Sequence, residues 1–326
     1  RFGSRREGGV QPLIDITYVQ AIVIGLLQGV TELFPISSLG HSVLVPAWIG
    51  GDWAQLVTAY GAQDSSTSPY LAFIVALHVA TAIALLIFYW STWIDIIKAF
   101  FNTIKNRSVE TSTERLAWLI IVATIPVGIT GLLLEHTFRV LFAKPAAAAI
   151  FLTINGLILF AGEWLRRRAD ARASVEAVTM SPTSVEEVEL EHAVVGGKNR
   201  SLEGLSYAEA GIIGLFQTAA LLAGISRSGI TMVGGLVRGL SHEDAAKFSF
   251  LLATPVIFAA GLLKLPSLFG PAGANIHGQV IVGAIVAGLA SWFSVKFLTK
   301  WFTTRTLIPF AVYCLVFGAI SLIHFA

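Results

Sequence analysis

Only one of the 326 residues is a cysteine, Cys314. A single thiol excludes an internal disulfide and any cysteine-based metal framework. Charge is scarce too: Asp, Glu, Lys and Arg make up 13% of the chain, where a soluble domain carries about a quarter. With a net charge of only +2 there is no polybasic footprint, so nucleic acid is not an expected partner. No Gly-Lys-Ser or Gly-Lys-Thr follows the Gly-rich stretch at 224–229, which excludes a P-loop there.

Apolar residues make up 55% of the chain, and the mean hydropathy is +0.74. The bilayer is therefore the solvent against which the fold has to be read. Six stretches approach the roughly 20 apolar residues of a membrane-spanning helix: 70–91, 115–135, 146–165, 244–264, 278–298 and 306–325. Two further apolar stretches, 18–48 and 207–240, are interrupted near the middle. Pro35 with Ser37-Ser38 breaks the first, and Gly224 with Ser226-Arg227-Ser228-Gly229 breaks the second. Irregular backbone at membrane depth is tolerated only inside protein or beside a water-filled cavity. Both stretches are expected to be re-entrant helix-loop-helix hairpins.

The two hairpins resemble each other. Gly25-Leu-Leu-Gln28 leads to Ile36-Ser37-Ser38, and 189 residues later Gly214-Leu-Phe-Gln217 leads to Ile225-Ser226-Arg227. The likeness continues into 72–76 and 249–253 at an offset of 177. Each half then holds one hairpin and three spans, and this odd number turns the second half upside down in the membrane. The expected fold is an all-α polytopic membrane protein with six transmembrane helices and two re-entrant hairpins in an inverted-topology repeat. The chain reads as one integral membrane domain, 1–326: repeat one at about 18–165, a cytoplasmic linker at about 166–206, and repeat two at about 207–326. The linker is acidic, with Glu176, Glu186, Glu187, Glu189 and Glu191. Loops 91–115, 166–206 and 296–305 hold thirteen Lys and Arg against six on the other side. The positive-inside rule places those loops in the cytoplasm and both termini outside, in the plasma membrane, with the site opening extracytoplasmically.

The copies differ where chemistry concentrates. Glu32 aligns with Leu221, His41 with Ile230, and Arg227 with the neutral Ser38. Gln28 and Glu32 are four apart and share a helix face. A carboxylate at membrane depth is costly enough to imply function. Gln28 also reads as a helix-packing contact. Ser37 and Ser38 can cap the following helix, and His41 lies within one turn of Ser38, near enough to exchange a proton. Ser226, Arg227, Ser228 and Thr231 read as an anion cradle, with a planar guanidinium, hydroxyls and a helix N-terminus. The alternative for Arg227 is a buried ion pair with Glu32 and no ligand. His78, alone in an apolar span, reads as a packing histidine.

At these residues the chain resembles the bacitracin-resistance type of undecaprenyl-pyrophosphate phosphatase, an integral membrane enzyme. The first signature stands here as Gln28-Gly-Val-Thr-Glu32-Leu-Phe-Pro35-Ile-Ser37-Ser38-Leu-Gly40-His41, the second as Ala223-Gly224-Ile-Ser226-Arg227-Ser228-Gly229-Ile-Thr231. Gln28 occupies a position that is often Glu, and Ala223 replaces the usual Pro. The resemblance implies removal of the terminal phosphate from a C55 isoprenyl pyrophosphate, which recycles the lipid carrier of cell-wall synthesis. Ser37, Ser226, Arg227, Ser228 and Thr231 are then expected to bind the pyrophosphate. Glu32 and Gln28 are expected to hold a divalent cation, magnesium or calcium. Ser38 attacking, His41 activating water and His41 itself attacking all remain open; the favoured assignment is Ser38 as nucleophile with His41 as proton carrier and Glu32 beside them. The expected partners are the isoprenyl pyrophosphate and the surrounding membrane lipids, with a second copy of the chain left open. A transporter or flippase for polyprenyl phosphate, using the same inverted-repeat site, is the alternative reading.

Overall fold

The computed structural model describes residues 16–62, 69–142, 144–180, 200–270 and 275–325. Within them the protein is helical and contains no β-strand beyond an isolated bridge between Arg200 and Leu240. Six helices are long and apolar enough to cross a membrane. They are α4 (Pro69–Phe88), α6 (Ser112–Phe142), α7 (Pro145–Met180), α10 (His242–Lys264), α11 (His277–Trp301) and α12 (Ile308–Phe325). Leu132, Phe293 and Ile323 are 68%, 63% and 83% exposed. Apolar side chains so far from water-soluble company fit a surface wetted by lipid.

Both broken stretches form pairs of short helices. The first is α1 (Tyr18–Thr31) followed by α2 (Ser38–Ile49); the second is α8 (Tyr207–Gln217) followed by α9 (Arg227–Val237). Each pair opens on a capping box. Thr17 Oγ1 accepts from Gln20 N while Gln20 Oε1 accepts from Thr17 N, and Ser206 with Glu209 repeats the arrangement. The likeness of the two halves thus begins at Thr17 and Ser206, earlier than the Gly-Leu-x-Gln segments. Arg200 grips the Glu209 carboxylate at 2.8 and 2.9 Å. That guanidinium, ahead of the Ser206 cap, holds the Glu209 carboxyl down at about 2.

Sequence chemistry accounts for both breaks. Pro35 lacks an N–H and disfavours helical backbone at Phe34, so α1 stops. The chain passes through Ser37 at φ 72°, a left-handed conformation that costs a β-carbon residue energy. In the second hairpin, the turn bonds Leu222 N–Ala219 O and Ile225 N–Leu222 O bring the chain to Gly224 at φ 117°. A β-carbon at Gly224 would lie 2.6 Å from Ala148 O of α7, so both dihedral and space require glycine.

The first helix of each pair packs on a span of the other half. At Gly25 a methyl would come within 2.6 Å of Gly283 O on α11, and at Gly29 it would strike Ala287. At Gly214 of α8 it would strike the Ala123 carbonyl of α6. Small residues at these crossings let backbones approach closely, as membrane helices do when dispersion replaces the hydrophobic drive.

Three expected loops are partly helical. Residues 51–62, expected as loop, form α3 (Gly51–Ala62). Residues 90–106 form α5 (Trp90–Asn106), separated from α4 by Tyr89 alone. Ile96, Ala99 and Thr103 of α5 are buried, and Trp118 Nε1 of α6 donates to Thr103 Oγ1 at 3.0 Å. The segment expected as linker from 166 continues α7 to Met180. Arg, Ala and Glu favour helix there, and the pairs Arg166–Asp170 at 2.9 Å and Glu163–Arg167 at 3.7 Å sit one turn apart on its face. Glu186, Glu187, Glu189 and Glu191 of that linker lie outside the described residues. So do Arg1, Arg5, Arg6 and Lys198, which entered the charge count.

Candidate active site

The breaks of the two hairpins meet. Ser37 Oγ accepts from Gly40 N, capping α2, and from Gly224 N of the second hairpin, both at 3.2 Å. In return Ser228 Oγ donates to Phe34 O at 3.2 Å. Ser226 Oγ caps α9 by accepting from Gly229 N at 3.1 Å and lies 3.0 Å from Ser228 Oγ. Asn155 of α7 joins both sides, donating to Pro35 O at 3.0 Å and accepting from Ser226 N at 2.9 Å. The N-termini of α2 and α9, starting at Ser38 and Arg227, therefore converge. Each carries roughly half a positive charge and free first-turn N–H groups.

Between them lies a cavity of about 260 Å³. Glu32, Ser37, Ser38, Ser226, Arg227, His78 and Gln217 supply its polar wall. The rest is apolar and runs along α4, α6 and α10 past Leu71, Val75, Val127, Val256 and Ala260.

Glu32 is the hub of the polar wall. Its Oε1 accepts from Arg227 Nη2 at 2.8 Å. Its Oε2 faces Gln28 Nε2 at 3.3 Å, His78 Nε2 at 3.3 Å and the Ser38 hydroxyl, which donates to it. Here the Arg227–Glu32 pair is formed, as the alternative reading of Arg227 anticipates. It does not exhaust the arginine: Arg227 Nη1 is buried and has no hydrogen-bond partner among the described residues. A buried guanidinium nitrogen left so is a costly group that an anion would satisfy.

The two histidines hold contrasting positions. His41 Nδ1 lies 2.6 Å from Ser37 O and its Nε2 lies 2.8 Å from Tyr313 Oη. A neutral ring meets both, donating to the carbonyl and accepting from the phenol. The ring stacks on Tyr313 and Phe317 of α12 and does not line the cavity. His78 does line it. Its Nδ1 lies 2.8 Å from Ile74 O, which can only accept, so Nδ1 carries a hydrogen. Nε2 then faces a carboxylate oxygen, a contact that an imidazolium satisfies and a neutral ring does not.

The structure thus gathers Glu32, Ser37, Ser38, Ser226 and Arg227 at the cavity. It sets Gln28, Ser228 and Thr231 behind them, Thr231 Oγ1 donating to its own helix at Arg227 O, and turns His41 to α12. His78 and Gln217 are the polar wall residues that the sequence reading did not place there. An ionisable residue in an otherwise apolar span was the signal for His78, and the offset of 189 from Gln28 was the signal for Gln217.

Residues 21–320 match the family model described as bacitracin resistance protein BacA. The chain belongs to the BacA family. Among its relatives in the family, undecaprenyl-diphosphatase 2 of Frankia alni is 59% identical over 96% of this chain and 99% of that protein. Undecaprenyl-diphosphatase of Mycolicibacterium paratuberculosis is 54% identical over 95% and 98%. The undecaprenyl-diphosphatase of Granulibacter bethesdensis is 40% identical over 94% of this chain and 97% of its own length.

Proposed function

We infer that the protein is a multi-pass membrane undecaprenyl-diphosphatase: it hydrolyses undecaprenyl pyrophosphate to undecaprenyl phosphate and inorganic phosphate, a step that serves cell-wall synthesis. One observation carries the reading to this chain's own residues. Two helix N-termini and an arginine whose buried Nη1 has no partner among the described residues converge on the polar end of a cavity whose other end is apolar. A diphosphate headgroup fits the polar end, and an isoprenyl chain fits the wall along α4, α6 and α10.

In the proposed mechanism Arg227 and the N–H groups of α9 and α2 grip the pyrophosphate. Ser38 Oγ attacks the terminal phosphorus and passes its proton to Glu32, with which it already shares a hydrogen bond. The bond from that phosphorus to the bridging oxygen breaks, and undecaprenyl phosphate leaves with the bonding pair. The departing undecaprenyl phosphate takes the proton from Glu32. Water then attacks the phosphoserine and gives a proton to the freed Glu32 carboxylate, which passes it to Ser38 Oγ as the bond from phosphorus to Oγ breaks and inorganic phosphate leaves. His78 holds the same Glu32 oxygen to which Ser38 donates and is the proton-bearing histidine of the site. His41 stays with Ser37 O and Tyr313, where it orients the strained break. His78→Ala is accordingly expected to lower kcat by roughly 10²-fold. His41→Gln, able to donate and accept in the same place, should stay within about tenfold, or ~1.4 kcal/mol, in kcat. The opposite order in phosphate-release assays would return the proton-carrying role to His41.

The oxygens present fit a hard divalent cation such as magnesium or calcium. They are the Glu32 carboxylate, Gln28 Oε1, buried and without a partner, and the Ser38 hydroxyl. No three His, Cys, Asp or Glu among the described residues group to hold a metal unaided. Phosphate oxygens of the substrate would supply the remaining ligands. When bound, the cation neutralises charge on the transferring phosphoryl group.

The architecture we propose is an inverted repeat with re-entrant hairpins. The matched capping boxes, the matched breaks, and the packing of α1 on α11 and α8 on α6 support it. The charge bias puts the start of α4 and the ends of α6 and α10 outside the cell. Cavity residues Leu71 and Gly261 fall in those outer portions, which supports an extracytoplasmic opening.

The direct test is phosphate release from C55 pyrophosphate by purified protein in detergent, with and without a chelator, beside Ser38→Ala. Chelator-sensitive release that Ser38→Ala reduces by roughly 10³-fold or more supports the nucleophile and the cation together. Wild-type rates in Ser38→Ala would assign the attack to water.

A further inference from the structure

Asn155 lies on α7, outside both hairpins, and is fully buried. Its amide does two different things at once. Nδ2 donates to Pro35 O, three residues before Ser38, and Oδ1 accepts from Ser226 N, the residue before Arg227. Nδ2 also lies 3.4 Å from Cys314 Sγ of α12. Both backbone groups belong to broken helix, so the regular ladder offers them nothing, and water does not reach them. An amide suits this place because it donates from one terminal atom and accepts at the other while staying neutral.

Apart from Ser228 Oγ on Phe34 O, the other straps between the breaks involve groups that the reaction itself uses or crowds. The Arg227–Glu32 pair shares its guanidinium with the phosphate that Arg227 takes, and Ser37 and Ser226 line the cavity. Asn155 touches neither the cavity nor Glu32. We propose that Asn155 is a positioning residue for the phosphatase reaction: its amide fixes the Ser38 end of one hairpin against the Arg227 end of the other while the Glu32 carboxylate and Arg227 guanidinium between them take up proton and phosphate. This rests on Ser38 and Arg227 acting as assigned above.

Replacing the amide separates positioning from mere filling of space. Asn155→Leu orphans both backbone groups. A shift of about 1 Å between reacting groups costs roughly 10²-fold, so kcat falls by about that factor while KM changes little. Asn155→Asp carries a sharper signature. An ionised carboxylate opposes the Pro35 carbonyl, whereas a protonated one donates to it and still accepts from Ser226 N. The ratio of variant to wild-type kcat should therefore rise as pH falls. The titratable group in contact from another helix is the Cys314 thiol. Tyr313, next to Cys314 in α12, lies 2.8 Å from His41 Nε2 of α2. Glu163, two turns along α7, is occupied by His242 and Arg167, and Glu32 and Arg227 occupy each other.

The experiment measures kcat and KM for C55 pyrophosphate from pH 5 to pH 8 with both variants, and thermal stability in the same detergent. Loss of kcat in Asn155→Leu together with acid recovery of Asn155→Asp supports the proposal. A flat Asn155→Asp ratio, or wild-type kcat in a folded Asn155→Leu, overturns it, whether or not the leucine variant loses stability. Should Ser38→Ala and Arg227→Ala keep activity, the site assignment fails instead, and Asn155 falls with it.

Discussion

Arg227→Ala lowers phosphate release from C55 pyrophosphate by roughly 10³-fold or more, the scale on which arginines facing a transferring phosphoryl group act. The protein should remain extractable and monodisperse. α9 keeps its Ser226 cap, and Ser228 Oγ still reaches Phe34 O. Two losses combine in the variant. The buried Nη1 that awaits an anion disappears, and Glu32 loses its partner at 2.8 Å. Arg227→Lys should recover little, because an ammonium cannot reach Glu32 and a phosphate with separate nitrogens as a planar fork does. Titration with inorganic pyrophosphate distinguishes binding from turnover. An active, folded Arg227→Ala enzyme removes the anion cradle from the mechanism.

Glu32→Gln is expected to abolish turnover to a similar degree and to destabilise the protein as well. Removing one member of a buried pair leaves its partner uncompensated, at a cost of about 3–5 kcal/mol. Here both Arg227 and His78 lose their acceptor of negative charge, and the Ser38 hydroxyl loses the base to which it donates. Raising the concentration of magnesium or calcium should rescue little, since the amide supplies no charge to a cation. Activity with wild-type metal dependence would move both the base and the metal ligand away from Glu32. A melting curve in the presence of pyrophosphate reads the other half: the ligand stabilises wild type by mass action and Glu32→Gln less.

The two signatures announced most of the polar wall because their residue types are costly in a bilayer. Glu32 and Arg227 have few reasons to be at that depth except each other and a ligand. Their pairing, which the sequence offered as the alternative to an anion cradle, is formed while one arginine nitrogen, without a partner among the described residues, stays open to an anion. The histidines show where that logic ends. His41 stands inside a motif, and its neighbours suggested proton transfer, yet side-chain direction rests on Tyr313 and Phe317, more than 270 positions away. His78 has no motif around it, only apolar residues, and its meeting with Glu32 depends on how α4 packs beside α1. Asn155 was silent for the same reason: its two partners lie 120 and 71 residues off in opposite directions. Helix α5 and the extension of α7 were missed because polar and amphipathic helices lack the long apolar run that marks a span.

The crossing of α1 on α11 has a consequence for biosynthesis. Helix α1 starts at Tyr18 and its glycine-lined seat starts at His277. A ribosome adding about 5–20 residues per second makes the first wait some tens of seconds for the second. For most of that interval Glu32 stands in a nascent chain without Arg227, and α8 is the one half-hairpin whose seat, α6, has already been made. Catalytic competence thus arrives in a single late step, after nearly the whole chain has left the insertion machinery. A chain truncated before α11 would carry every residue of the polar wall and still have nowhere to hold half of them.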